Sequence, residues 1–375
     1  MEQWKKYKLS DICDLIAGFA FKSIDFGTEG VSVVKIKDIQ PPFVNLDNAD
    51  KVNLSAYDID KLKKFLISKG DFLLAMTGAT IGKIGKYISN EQSYLNQRVL
   101  KFLPKQQVDS KFLYYSLLTH AFQLYILNHI DSDSAQPNIS ANTIGKYELS
   151  IPCIKTQKRI ADILSTFDNK IELNRRINDN LEQQAQTLFK AWFIDNAVFG
   201  DATVSDYFIP LRGKNFLTSD AKGGKFPVVA GGLMPSAYHN VANTQAPVIT
   251  ISASGANAGY VNLWCIPVWS ADSSYIDNTI TPYVYFWFNL LKFNQKSIYD
   301  SQTGSAQPHI YPKHIGDIRI PDLNINQVAE FDKIVTPIYS QIAKLRKSNA
   351  QLAETRDTLL PKLMSEELKI NDLIC

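Results

Sequence analysis

The sequence predicts an α+β protein built twice: two similar globular domains of mixed helix and strand, separated by two long helices that form an antiparallel coiled coil, in a pseudo-two-fold internal repeat. Three observations predict this. Ser134-Ala135-Gln136-Pro137-Asn138-Ile139 recurs as Ser305-Ala306-Gln307-Pro308-His309-Ile310, an offset of 305 − 134 = 171. Both copies then pass through Ile-Gly (Ile144-Gly145, Ile315-Gly316) and Ile-Pro (Ile151-Pro152, Ile320-Pro321) into a long heptad pattern. A repeat of this size is a duplicated domain with its helix, because solenoid units are only a few dozen residues long. Finally, 375 residues exceed one ordinary core and suit two domains with connectors. The expected boundaries are 1–153 for the first domain, 154–196 for the first helix, 197–322 for the second domain and 323–375 for the second helix.

The first domain reads as follows. Val31 to Ile36 alternates and is rich in β-branched residues, so it predicts a strand. Asp71 to Met76 predicts a buried strand ending at the turn Thr77-Gly78-Ala79-Thr80. Asp109-Ser110 caps a helix that carries Phe112, Leu113, Leu117 and Phe122 on one face. The second domain repeats the scheme, with Val248 to Ile251 as the strand and Ser252 to Gly255 as the turn. Thr281-Pro282 opens the matching helix, where proline's missing N–H costs nothing. Gly18 and Val33-Val34 match Gly213 and Val228-Val229 at an offset of 195, whereas Gly78 and Gly82 match Gly255 and Gly259 at 177. The offset falls to 171 at Phe112-Leu113-Tyr114-Tyr115 and Tyr283-Val284-Tyr285-Phe286, so the second copy has lost loop residues. Loops tolerate such losses and carry specificity.

The helices show a 4, 3, 4, 3 spacing, the seam of a coiled coil. The first seam is Ile160, Leu164, Phe167, Ile171, Asn174, Asn178, Leu181, Ala185, Leu188 and Trp192. Adding 171 gives Phe331, Val335, Ile338, Ile342, Leu345, Asn349, Leu352, Arg356, Leu359 and Leu363. Pairing is expected through Ile171, Asn178, Leu181, Leu188, Ile342, Asn349, Leu352 and Leu359. A seam asparagine costs stability but fixes register, since slippage buries its amide unsatisfied. The same pattern also suits amphipathic helices packed on their own domains. Pro337 should break or kink the second helix, starting its main part near Thr336, and Pro361 should bend its end. A helix from Gln157 to about Ile194 is roughly 57 Å long, somewhat over the ~34–36 Å of one DNA turn.

Composition excludes several classes. The chain is 45% hydrophobic and 21% charged with net charge +3, ordinary for a soluble globular protein and compatible with nucleic acid. Cys13, Cys153, Cys265 and Cys375 lack CxxC spacing and read as free thiols. No signal peptide or span is expected, and the localisation implied is cytoplasmic. Gly78-Ala79-Thr80-Ile81-Gly82-Lys83 misses phosphate-loop spacing by one residue, has Ile84 where a hydroxyl belongs, and has Tyr260 for Lys83 in the second copy; it reads as a tight turn. Pro321-Asp322 with Glu367 and Lys369 makes a poor nuclease pattern, and the five histidines form no ligand-spaced pair. No catalytic residue and no metal site is expected.

Polar residues near strand ends are the candidate DNA contacts. In the first domain they are Lys35, Lys37, Thr77, Lys83, Lys86 and the cluster Asn96-Gln97-Arg98. The cluster places amide and guanidinium donors together, the chemistry that pairs with adenine and guanine edges in the major groove. In the second domain Arg212, Lys214, Lys222 and Lys225 form a basic run, and His239, Ser254, Asn257 and Ser273 lie in polar loops. A solvated surface charge is the plain reading of each lysine, and a turn that of the cluster.

The motif from Ser134 through Ile151-Pro152 and Gln157, followed by Ile160-Ala161-Asp162-Ile163-Leu164, resembles the specificity subunits of type I restriction–modification systems, as do its second copy and the tail Leu359 to Met364. The resemblance covers essentially the whole chain; Thr156 and Asn326 stand where the family usually has glutamate. It implies two target recognition domains, each binding one half of a bipartite, asymmetric double-stranded DNA site. It implies two helical regions that pair antiparallel, set the gap and dock two modification (methyltransferase) subunits. S-adenosylmethionine, ATP and magnesium would belong to those and to the restriction (translocase and nuclease) subunits; this chain would bind no cofactor and have no active site. The assembled complex would be an adenine methyltransferase and ATP-dependent endonuclease. From a different class, the residues also suit a coiled-coil scaffold displaying two β-rich protein- or glycan-binding domains.

Overall fold

In the computed structural model, which describes residues 4–131, 137–195, 197–217, 220–304, 307–365 and 367–368, the expected buried run forms the strand Phe72–Ala75. All four residues are buried because the strand is covered on both faces. Phe72 and Leu74 point into one core, Leu73 and Ala75 into another. Side chains alternate along a strand, so a doubly covered strand reads as a continuous apolar run. Truncating such a residue to alanine costs about 2–5 kcal/mol.

The chain forms two compact units, Met1–Lys170 with Gln351–Cys375, and Ile171–Ala350. The first unit has a six-stranded sheet, ordered Cys13–Ala17, Val99–Pro104, Phe72–Ala75, Ile84–Lys86, Phe43–Val44, Ile39–Gln40. A five-stranded sheet, centred on Val31–Val34, packs on its other side. The second unit has smaller sheets of four and three strands, built around Val248–Ser252 and Phe226–Val229. The shrinking offset in sequence therefore corresponds to lost edge strands.

Local details depart from expectation at three places. The strand after Gly30 ends at Val34, and Ile36–Asp38 is a 3-10 turn capped by Asp38, which accepts from Lys35 N at 2.8 Å. The helix capped by Asp109 stops at Leu117, and a second, His120–Asn128, carries Phe122; Thr119 turns the chain by donating its hydroxyl to Ser116 O at 2.7 Å. In the second copy the helix starts at Val284 with Tyr283 as its cap, leaving Pro282 outside it.

The long helices span Ile154–Phe193 and Ile325–Met364. Pro337 and Pro361 both lie within the second helix without interrupting it, contrary to the expected break near Thr336. Pro337 is solvent-exposed, Thr336 donates its hydroxyl to Asp332 O at 2.7 Å, and Val335, Tyr339 and Ile342 are buried on both sides of the proline. Tertiary packing thus outweighs the local cost of proline. The helices run antiparallel in each unit. In the first, Asp168 meets Arg356 and Leu164 shares a core with Leu360 and Leu363. In the second, Asn174 meets Asn349 and Phe193 meets Phe331. Every seam position, including Ile171, Leu181, Leu188, Leu352 and Leu359, is buried or half-buried. Phe189, Phe193 and Tyr339 are buried off the seam, because the helices also pack on the globular part of the second unit. The two readings of the heptad pattern hold together.

Candidate nucleic-acid interface

Five loop segments meet in each copy, and their backbone bonding is the same twice. In the first copy Gly18 N donates to Val99 O (3.1 Å), Phe19 N to Leu95 O (2.8 Å), Asn96 N to Val34 O (3.1 Å) and Met76 N to Arg98 O (3.0 Å). In the second, Gly213 N donates to Ser273 O (2.8 Å), Lys214 N to Ser270 O (2.9 Å), Ala271 N to Val229 O (2.8 Å) and Ala253 N to Asp272 O (3.1 Å). The repeated motif closes both junctions. Gly78 N donates to Pro137 O and Ile139 N to Met76 O, both 3.0 Å; Gly255 N donates to Pro308 O at 3.1 Å and Ile310 N to Ala253 O at 2.9 Å. Ser134 to Gln136, Ser305 and Ala306 lie outside the described residues.

Two glycine requirements make this frame legible. Gly78 and Gly82 hold φ of +71° and +80°, and Gly255 and Gly259 +80° and +87°, values that L side chains resist. At Gly18 and Gly213 the constraint is space: a Cβ would lie 2.2 Å from Asn96 O in one copy and 2.3 Å from Ala271 O in the other. The frame is thus fixed by glycine and backbone, while the side chains on it differ. Lys83 answers to Tyr260, Asn138 to His309, and Arg98 to Asp272.

Three expected contacts lie inside the fold. Ser273 is fully buried and its hydroxyl is shared with Ser270 Oγ at 2.7 Å. Thr77 is buried, its Oγ1 without a partner among the described residues. Lys86 joins a half-buried ionic cluster: its Nζ is 3.2 Å from Asp168 Oδ2 and 4.0 Å from the centre of the Tyr114 ring. Arg356 Nη1 reaches Asp168 Oδ1 at 2.6 Å, and the Tyr115 hydroxyl donates to Asp168 Oδ2 at 2.5 Å. Burial alone would raise the Asp168 carboxyl, but these donors offset it and hold it below the ordinary carboxylate range. Burial lowers Lys86, which shares its one counter-charge with Arg356. Sequence reading missed this cluster; its one signal was Arg356, the charged residue at a seam position.

The others reach the surface in different states. Lys35 and Lys37 both bind Asp50, at 2.7 and 3.1 Å, and Lys35 also caps the Phe26 ring. Lys83, Gln97 and Arg98 are exposed, and Asn96 is half-buried in the turn between two strands. Arg212 pairs with Asp272 at 2.7 Å, and Ser254 donates its hydroxyl to the same carboxylate. Lys214, Lys222 and Lys225 are exposed. Asn257 is half-buried in the glycine turn, where its carbonyl accepts from Tyr260 N at 2.9 Å. His239 packs edge-on against Phe216 and Trp269, at centroid distances of 5.2 and 5.4 Å. Of the pairing residues, Asn349 bonds Asn174 at 2.8 Å rather than Asn178, which is buried with its Oδ1 unpartnered among the described residues.

Among the described residues no group of three or more His, Cys, Asp or Glu is placed to hold a metal ion, and no helix is long and apolar enough to cross a membrane. Cys13, Cys153 and Cys265 take part in no disulfide among the described residues; Lys369 and Cys375 lie outside the described residues.

Comparison with known proteins agrees with this architecture. A family model described as the type I restriction modification DNA specificity domain matches residues 1–183. The type I restriction enzyme MjaIX specificity subunit of Methanocaldococcus jannaschii is 24% identical, over 99% of this chain and 95% of its own. A putative type I specificity subunit of Mycoplasma genitalium is 26% identical, over 71% of this chain and 74% of its own. The crystal structure of a type I restriction–modification S subunit from M. genitalium shares the fold, with TM-score 0.53, 21% identity and coverage of 97% of this chain and 96% of its own. In sequence the chain is therefore similar to type I restriction–modification specificity subunits, over the matched domain and along a near full-length relative, and it shares the fold of one of them.

Proposed function

We propose that this chain is the DNA sequence-recognition subunit of a type I restriction–modification complex. One observation carries the reading: the same backbone junction occurs twice, bearing different side chains each time. Two such junctions suit a bipartite, asymmetric site, because an identical frame presents a different set of donors and apolar groups to each half. The paired helices set the gap between the half-sites and dock two modification subunits, with restriction subunits joining the assembly. S-adenosylmethionine, ATP and magnesium serve those partners, where adenine methylation and ATP-dependent cleavage take place; this chain contributes recognition, and the complex works in the cytoplasm.

The test is protection of DNA by the purified chain with its modification partner. Two short half-sites separated by a fixed gap are expected, with affinity that falls as salt displaces the phosphate contacts. Deleting Leu181 to Thr187, one heptad of the first helix, should change the gap or abolish assembly. Unchanged spacing and unchanged complex formation in that variant would reject the helices as the ruler.

A further inference from the structure

We propose that the two copies read different base chemistry: Gln97 and Arg98 take purine edges in one half-site, and Leu233 with Met234 takes thymine methyl groups in the other. The inference rests on the DNA-recognition reading above and adds the residues and the base class.

Two of the segments at each junction carry side chains toward solvent, and each copy neutralises one of them. The tip between strands Ser93–Leu95 and Val99–Pro104 is Asn96-Gln97-Arg98. Gln97 and Arg98 are exposed there and, among the described residues, have no side-chain partner. The corresponding tip in the second copy is Ala271-Asp272, and Asp272 is already held by Arg212 and by the Ser254 hydroxyl. Its acceptors are committed inside the protein, and its charge would repel phosphate.

The segment after the strand Val31–Val34, and after its counterpart Phe226–Val229, behaves in the opposite way. Both segments touch the glycine turn. The Ile36 carbonyl accepts from Thr80 Oγ1 at 3.5 Å, and a Cβ on Gly231 would lie 2.6 Å from Ser254 O. In the first copy the charges of this segment, Lys35 and Lys37, are both bound to Asp50. In the second copy the segment is Gly231-Gly232-Leu233-Met234, and Leu233 and Met234 are 52% and 77% exposed. These two adjacent apolar side chains stand in water on the loop that touches the glycine turn, and it is their place at the junction, not their exposure alone, that assigns them to the reading surface. Lys214, exposed on the same junction and bonded through its backbone to Ser270, supplies the positive charge that phosphate requires.

The chemistry follows. A guanidinium fork and an amide fit the acceptors of guanine and the donor–acceptor pair of adenine, whereas leucine and methionine make no hydrogen bond and gain only from apolar contact, which the major groove offers at the thymine 5-methyl. A wedge between base steps would be indifferent to that methyl group.

The experiment uses the full chain with its modification partner and a duplex carrying the bipartite methylation motif of the source genome. Each dT is replaced singly by dU, and each dG by 7-deaza-dG. We expect dU to weaken binding about four-fold at one or more positions of one half-site only, the worth of one buried methyl group. We expect 7-deaza-dG to weaken it at least about five-fold in the other half-site. The pair Leu233→Ala with Met234→Ala should abolish the dU effect and leave the 7-deaza-dG effect intact, and Arg98→Ala should do the reverse; both sites are exposed, and far-UV circular dichroism checks that the variants fold. Specific binding that ignores dU everywhere, or an undiminished dU effect in the double variant, overturns the inference alone. No sequence-specific binding by the wild-type complex overturns the functional reading beneath it.

Discussion

Asp168 accepts from Lys86, Tyr115 and Arg356 inside the first unit, and the consequences belong to that single residue. Removing the carboxylate from this half-buried cluster leaves Lys86 without its counter-charge while Arg356 keeps Asp357, at about 1–3 kcal/mol, whereas replacing the whole cluster with apolar groups of similar volume is close to neutral. Asp168→Asn should therefore lower the unfolding midpoint of the first unit, and Lys86→Met, Asp168→Leu and Arg356→Met together should restore most of it. The pH dependence has a definite sign. Because the folded carboxyl titrates below its unfolded value near 4, its stabilisation is present above about pH 4 and is lost as pH falls through the folded value. Denaturant titrations at pH 7 and pH 3 should show a smaller acid loss in Asp168→Asn than in the wild type; equal losses would reject the cluster as the source. Residues of this kind are not legible in sequence. Lys86 and Arg356 lie 82 and 188 residues from Asp168, so only the fold introduces them. Gly18, Gly78 and Gly82 were legible, because their constraint is a local φ or a close backbone approach written in the residue itself.

At the scale of the element, the helix pair holds an amide contact between two seam asparagines. Asn174 is fully buried and donates to Asn349 Oδ1, while Asn349 Nδ2 reaches Ile171 O at 3.4 Å. Asn349→Leu alone should destabilise the second unit by about 1–3 kcal/mol, since it strands a buried amide. Asn174→Leu with Asn349→Leu should recover that loss, and a double-mutant cycle of denaturation midpoints measures the coupling. Additive effects would mean that the pair does not act as a unit. The heptad pattern made the seam legible because 3.5-residue periodicity is a property of the chain itself, whereas its antiparallel sense was implied only by the family resemblance. It matched Asn349 with Asn178 by repeat position, whereas Asn174 is the contacting partner, since repeat equivalence does not specify which side chains meet across an antiparallel pair. Pro337 misled for a related reason: its helical cost is local, and the buried Val335, Tyr339 and Ile342 around it are held by the rest of the unit.

For the whole molecule, the duplication was legible in the motif ending at Ile139 and Ile310, and its purpose becomes clear only in three dimensions, where each copy of that motif bonds the glycine turn of its own unit. What the sequence did not reveal is how unequally the chain supplies the two units. Ile171–Ala350 is one continuous segment, but the other unit is completed by residues from Gln351 onward. Leu360 and Leu363 are buried in the core that contains Phe112 and Leu164, and Arg356 is in the Asp168 cluster. Two buried leucines are worth about 2–5 kcal/mol each, a large share of the ~5–15 kcal/mol that stabilises an ordinary domain. Ending the chain at Ala350 should therefore open the first unit and spare the second. Hydrogen exchange should show protection lost in the helix Ser110–Leu117 and kept in the helix Val284–Phe293. Leu360→Ala with Leu363→Ala should move protection in the same direction by less. Because the removed segment contributes to one core alone, equal loss in both helices, or none in either, would refute this division of the chain.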